Sequence, residues 1–205
     1  LDGAVMTVEV SVISLLLGML VGTVLGLMRV SKSKTLSGIS YGYVWIIRGT
    51  PLLVQLYLLY FGLPQVGIRL EPQVAGILGM GLNTGAYISE VVRAGIMAVD
   101  KGQMEAGLSL GMTPWLVMRR IIAPQAARVS VPPLVNQFII TLKNSSLVSL
   151  LTITELMRRG EEIIHTTFHS FEVYTVVGVI YLMLNSVLML AAARLERGLR
   201  AGDQA

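Results

Sequence analysis

The sequence predicts an all-α membrane protein with about five transmembrane helices, and three observations carry that fold class. Of 205 residues, 54% are hydrophobic and only 14% charged, where an ordinary soluble domain carries about 25% charged residues. Charge-free runs of 18 to 21 residues recur along the chain, and a helix needs about 20 apolar residues to cross the hydrocarbon core. The Lys and Arg residues cluster in alternate inter-helix segments, as topology signals do. One buried soluble helix can mimic a single run; four or five in so short a chain have no soluble counterpart. A disordered tail is excluded, and with no cysteine there is neither a disulfide framework nor a thiolate metal site. The net charge of +4 invites a nucleic-acid reading, but the basic residues are distributed as topology signals.

The elements follow in order, within a single transmembrane domain over residues 1–205. The first span covers approximately 8–29, around the 19 uncharged residues Val10 to Met28. Its acidic front (Asp2, Glu9), its lack of a basic lead-in and its length predict a retained span in place of a signal peptide. Leu1 in place of an initiating Met leads us to expect residues ahead of it. Gly18, Gly22 and Gly26 recur every fourth residue, a small-residue stripe that lets another helix approach closely. Residues 29–40 read as a polar cytoplasmic loop. The second span covers 46–66, within the 20 uncharged residues Gly49 to Ile68, and a short outer turn with Pro64, Gly67 and Pro72 follows. The third covers 72–96. The fourth covers 129–154, interrupted only by Lys143, and the fifth 173–195. Residues 155–171 read as a polar outer loop with an interfacial helix.

Alternating spans place twelve of the 16 basic residues on one side and three (Arg69, Arg158, Arg159) on the other, with Lys143 inside a span. The N-terminus is therefore expected outside and the C-terminus in the cytoplasm.

Residues 99–125 are too polar to span and too regular for a plain linker. Gln103 to Leu110 are mostly good helix formers, and Gly111 stands where a helix C-cap belongs. Thr113 and Pro114 form an N-cap and first-position pair that opens a second helix. Pro124 is expected to end it, because a residue before proline is pushed out of the helical region. A simple surface loop is the alternative reading.

The run Glu105-Ala106-Gly107, three residues, Gly111, nine residues, Ile121, one residue, Ala123-Pro124 resembles the EAA loop of ABC importer permeases. Gly107 replaces the family's second Ala, and Ala123 its Leu. The stretches Arg48 to Gln55, Ala86 to Arg93, Lys101 to Gln103, Pro132 to Phe138 and Leu142 to Leu147, then Glu155-Leu156, are similar to the polar amino acid branch of these permeases. The likeness covers roughly Ser11 to Arg197. It implies a type I importer fold in a bacterial cytoplasmic (inner) membrane. It also implies two permease chains, identical or homologous, two cytoplasmic ATPases that bind the ATP and Mg, an external substrate-binding protein and an amino acid substrate. Glu105, Ala106, Gly107, Ser109, Gly111 and Pro124 would then couple the chain to the ATPases, with the glycines and Ser109 allowing close approach. The chain itself carries no phosphate-binding loop and is not expected to be an enzyme or to hold a cofactor. A secondary transporter or a non-transporting scaffold is the alternative; the former needs an ion-coupling site and usually more spans, the latter no docking loop.

Ser130, Gln137, Thr141, Asn144, Ser145, Ser149 and Thr152 fall near one face at three- and four-residue steps. They either line a pathway or bond helix to helix. Lys143, near mid-membrane, either meets a substrate carboxylate or pairs with Glu90 or Glu155. Glu161 and Glu162 are candidates for attracting a basic substrate at the outer mouth, and Glu90 and Arg93 for a pair along one helix. His165 and His169 have metal-ligand spacing without an evident third ligand.

Overall fold

The computed structural model describes residues 2–201; Leu1 lies outside it. All regular structure among the described residues is helical. Helix α1 (Asp2–Val30) lies along α4 (Pro72–Ala98), and the glycine stripe is the seam. A Cβ on Gly22 would stand 2.7 Å from the Gly85 carbonyl oxygen, and one on Gly26 2.7 Å from Val92. In return, a Cβ on Gly81 would meet Leu17 at 2.6 Å. Side chains of each helix thus fill the gaps left by glycines of the other. Leu20, Val24 and Leu27 on α1, like Leu182, Val187 and Leu190 on α9, remain exposed. Apolar surface of this extent suits a lipid surround.

The second expected span takes a different form. Helix α2 begins at Lys34, capped by the Ser33 hydroxyl, and runs to Gly49. Residues 34–40, expected as loop, are therefore helical. The chain breaks at Thr50–Pro51 and resumes as α3 (Leu52–Tyr57), a π turn (Leu58–Gly62) and a 3₁₀ turn ending at Val66, bent by 103° from α2. Proline forces the break: it has no N–H to donate, and it drives Thr50 into extended backbone at φ −121°, ψ 145°.

Helix α4 is long enough to span, yet by composition it does not stand with Asp2–Val30, Pro114–Leu151 and Ser170–Arg194 as an apolar membrane helix. It is the central helix, and its polar residues Asn83, Thr84 and Ser89 are buried against its neighbours. A helix shielded by protein does not need a lipid-facing composition.

Two short helices follow, α5 (Lys101–Ser109) and α6 (Pro114–Val117). The second does not stop at Pro124 as expected. A π turn over Met118–Ile122 leads straight into α7 (Ala123–Asn144), with the Ala123 N–H donating to Met118 five residues back. The wider turn gives the proline ring room, so the helix continues past it. Beyond α7 the chain tightens into a 3₁₀ run (Ser145–Leu151) and turns at Thr152, φ 66°. The expected span 129–154 is thus α-helical only to Asn144. Helix α8 (Leu156–Thr167) falls in the polar segment where an interfacial helix is expected, and α9 (Ser170–Ala201) is the last described helix. The core cluster of Val10, Leu56, Ala75, Met80, Val148, Leu151 and Ile153 joins α1, α3, α4 and the 3₁₀ run.

Candidate functional site

The break at Thr50–Pro51 leaves backbone polar groups without helical partners, and one side chain answers for them. The Gln55 amide nitrogen donates to the Ile47 carbonyl at 2.7 Å and reaches the Thr50 hydroxyl oxygen at 2.8 Å. Its oxygen accepts from the Asn83 amide at 3.0 Å, fastening the break to the middle of α4. Around it opens a cavity of about 510 Å³ lined by Arg48, Thr50, Pro51, Asn83, Tyr87, Gln137 and Asn144. Adjoining concavities share Arg48 and Tyr87 and extend toward Glu90, Pro133 and Asn136. Irregular backbone at membrane depth is tolerated where it is buried in protein or lines a cavity.

Arg48 supplies the charge. It is exposed to the cavity, its guanidinium 5.1 Å from the centre of the Tyr87 ring. No carboxylate among the described residues pairs with it. Glu90, the near acid, is occupied by Arg29 at 3.2 Å and Arg93 at 3.0 Å. The expected Glu90–Arg93 pair is therefore part of a three-residue cluster that also joins α1 to α4.

The polar stripe divides between two environments. Gln137 and Asn144 line the cavity. Thr141 is buried, hydrogen-bonded to the Gln137 carbonyl and to Thr84 across the α4–α7 contact at 3.1 Å. Ser130 donates to Ala126 within α7 and reaches the Val91 carbonyl of α4 at 3.5 Å, while Ser145 donates to Leu142 on its own run. Thr141 and Ser130 thus bond helix to helix, as serine and threonine commonly do in membranes. Lys143 is exposed one residue before Asn144, and neither expected carboxylate pairs with it. Glu161 and Glu162 sit on α8, paired with Arg158 at 3.4 Å and Arg159 at 2.9 Å. His169 faces Glu172 at 3.8 Å, and no trio of potential metal ligands gathers among the described residues.

Glu155 is a residue that spacing did not single out. It is 0% exposed and accepts from Tyr181 (2.8 Å), Thr7 (3.3 Å) and the Arg158 backbone N–H (2.7 Å). It therefore caps α8 and joins that helix to α1 and α9. Burial pushes its carboxyl above the usual carboxylate range, while these hydrogen bonds pull the other way.

In the polar segment, Asp100 caps α5 through the Gly102 N–H, and Thr113 caps α6. Gly111 turns the chain at φ +77°, with the Met112 N–H donating back to the Gly107 carbonyl at 3.1 Å. Gly107, expected on the docking face, points inward instead: a Cβ there would meet Val117 at 2.6 Å. Its missing side chain lets α5 close on α6. Glu105, Ala106 and Ser109 remain exposed, beside Leu110 and Trp115 at 82% and 72% exposure.

A lipid-faced helical bundle with a polar cavity at a broken helix and a rigid helix pair at one end is a permease-type membrane subunit. The chain belongs to the family described as binding-protein-dependent transport system inner membrane component, matched over residues 14–201. It is 37% identical to the glutamine transport system permease protein GlnP of Escherichia coli over 202 residues, covering 98% of this chain and 92% of GlnP. It is 35% identical to the arginine transport system permease protein ArtQ of Bacillus subtilis, covering 99% and 93%. A crystal structure of an amino acid ABC transporter with histidines matches with TM-score 0.91 at 39% identity, over 96% of this chain and 92% of that one. An inward-facing MetNI methionine transporter shares the fold, with TM-score 0.82 at 21% identity.

Proposed function

We propose that this chain is the membrane subunit of an ATP-driven amino acid importer, and that the cavity beside Arg48 is its half of the pathway. The unpaired Arg48 guanidinium at a helix break carries the proposal. Relatives are named for glutamine, arginine and L-cystine transport, solutes with different side chains and one common part, an α-carboxylate beside an α-ammonium. Arg48 offers a charged donor for the carboxylate, and Asn83, Gln137 and Asn144 offer amides beside it. A fixed contact to the shared part suits a pathway that leaves selectivity to an external binding protein.

The exposed face of α5, with Glu105, Ala106 and Ser109, docks on a cytoplasmic ATPase that binds the ATP and Mg. Gly107 acts from inside, letting α5 close on α6, and Gly111 turns the chain between them, so that the pair moves as a rigid body. A second permease chain closes the pathway, and the assembly sits in a bacterial inner membrane with the N-terminus outside. ATP-driven closure of the ATPases then tilts the spans as rigid bodies.

Arg48→Gln tests the site. Amino acid uptake by the reconstituted complex should fall about ten- to hundredfold, since a hydrogen bond to a charged group contributes roughly 1.5–3 kcal/mol. ATPase stimulation by loaded binding protein should persist. Wild-type uptake by this variant would remove Arg48 from the pathway.

A further inference from the structure

A second cavity lies where the C-terminal end of α1 meets the start of α2 and the last turns of α4. It measures about 770 Å³, and its wall carries Arg29, Lys32, Lys34 and Arg93 with no acidic residue among the lining groups. Glu90 stands behind the wall and holds both arginines, Arg29 at 3.2 Å and Arg93 at 3.0 Å. Arg29 is further fixed 4.9 Å from the centre of the Tyr41 ring. One carboxylate thus orients two guanidinium groups and neutralises one charge, while Lys32 and Lys34 are exposed and have no acidic partner among the described residues. Lys34 also opens α2, whose first turn holds no acid. A cation at the positive end of a helix dipole is unfavourable unless an anion sits beside it.

Apolar side chains continue from the cationic wall. Tyr41 and Met97 line the cavity and are themselves exposed, and Leu36 and Ile39 on α2 and Leu27 on α1 are exposed on the same helices. The cavity therefore joins a concentrated positive charge to apolar surface at the end of an apolar helix long enough to cross a bilayer. The lining comes from α1, α2, α4 and the turn between the first two, with nothing from the α5–α6 pair. Cations that serve only as topology signals need no such convergence.

We infer that this cavity binds the phosphate headgroup of an anionic membrane lipid, whose acyl chains lie along the α1–α2 surface. The inference rests on α1 being a membrane span and is independent of the substrate and of Arg48. A lipid held there would fasten the α1–α2 turn to α4, which reaches both the broken helix and α5.

Native mass spectrometry of the purified permease–ATPase complex tests this, with phosphatidylglycerol and phosphatidylcholine added in equal amounts. Phosphatidylglycerol should be retained in preference. Lys32→Gln/Lys34→Gln should retain at least about tenfold less of it, as each near-surface cation contributes on the order of 1 kcal/mol. Lys32→Arg/Lys34→Arg should retain it as wild type does, and millimolar inorganic phosphate should leave it bound. Equal retention of the two lipids by wild type would overturn the inference, as would full retention by the Gln pair. Displacement by inorganic phosphate would make this a free-anion site, and loss of the ATPase from the Gln variant a protein interface; either contradicts a lipid site. Amino acid uptake by the complex is unaffected by that failure, so the transport reading stands or falls separately.

Discussion

Glu155 is a buried carboxyl held by hydroxyls and a backbone N–H, with no cation among its hydrogen-bond partners. Glu155→Ala leaves the Tyr181 hydroxyl and the Arg158 N–H without their acceptor, and each unsatisfied buried donor costs about 1–3 kcal/mol. The purified chain should melt several degrees lower. Glu155→Gln keeps an acceptor and removes the charge, so it should melt near wild type at neutral pH. The sign of the pH dependence follows from the raised carboxyl: the folded state holds this proton more tightly than the unfolded state. The contribution is therefore complete below the ordinary carboxylate range and is lost as pH rises through the raised value. Glu155→Gln should abolish that part of the pH dependence in a series of thermal melts, and an unchanged slope would contradict the assignment. Arg48 and Gln55 lay in plain view in the sequence, but only as parts of a family-like run. Neither charge nor spacing says that one would answer for a helix break and the other face a cavity. Lys143 shows the converse: its depth in a charge-free run drew attention, while the structure leaves it exposed and unpaired with either expected acid.

Helix positions were legible wherever a physical signal was local. The α5–α6 turn is one such place, because a glycine cap and a Thr-Pro start are chemical properties of single residues. Counting uncharged residues gave a continuous second span over 46–66 and passed over the 103° bend, whose signal was Thr50–Pro51 itself. Pro124 misled in the other direction, since a π turn upstream absorbs the ring. The α5–α6 turn also allows a direct test. Gly111→Val places a β-branched residue at φ +77°, where left-handed backbone costs about 1–2 kcal/mol and branching adds to it. The chain should insert and hold its bundle, because Gly111 is exposed and a Cβ there meets nothing within 4 Å. Coupled uptake and co-purification of the ATPase should both fall, and a Gly111→Val complex that transports at the wild-type rate would remove the turn from coupling.

At the scale of the whole molecule, α4 is the hub of the bundle, packed against α1, α2, α3 and α7. Its glycines receive α1, Asn83 anchors the broken helix, Thr84 meets α7, and Glu90 holds Arg29 of α1 together with Arg93 of its own helix. This centrality explains why α4 buries Asn83, Thr84 and Ser89 along its length, a trait that the charge-free run did not reveal. The central claim is that the chain forms part of an ATP-powered amino acid pathway. It is tested most directly by uptake of radiolabelled glutamine or arginine into proteoliposomes holding the permease–ATPase complex, with the binding protein outside and ATP inside. Accumulation should require both ATP and binding protein and be lost without either. Accumulation that persists without ATP and follows an imposed ion gradient would contradict it.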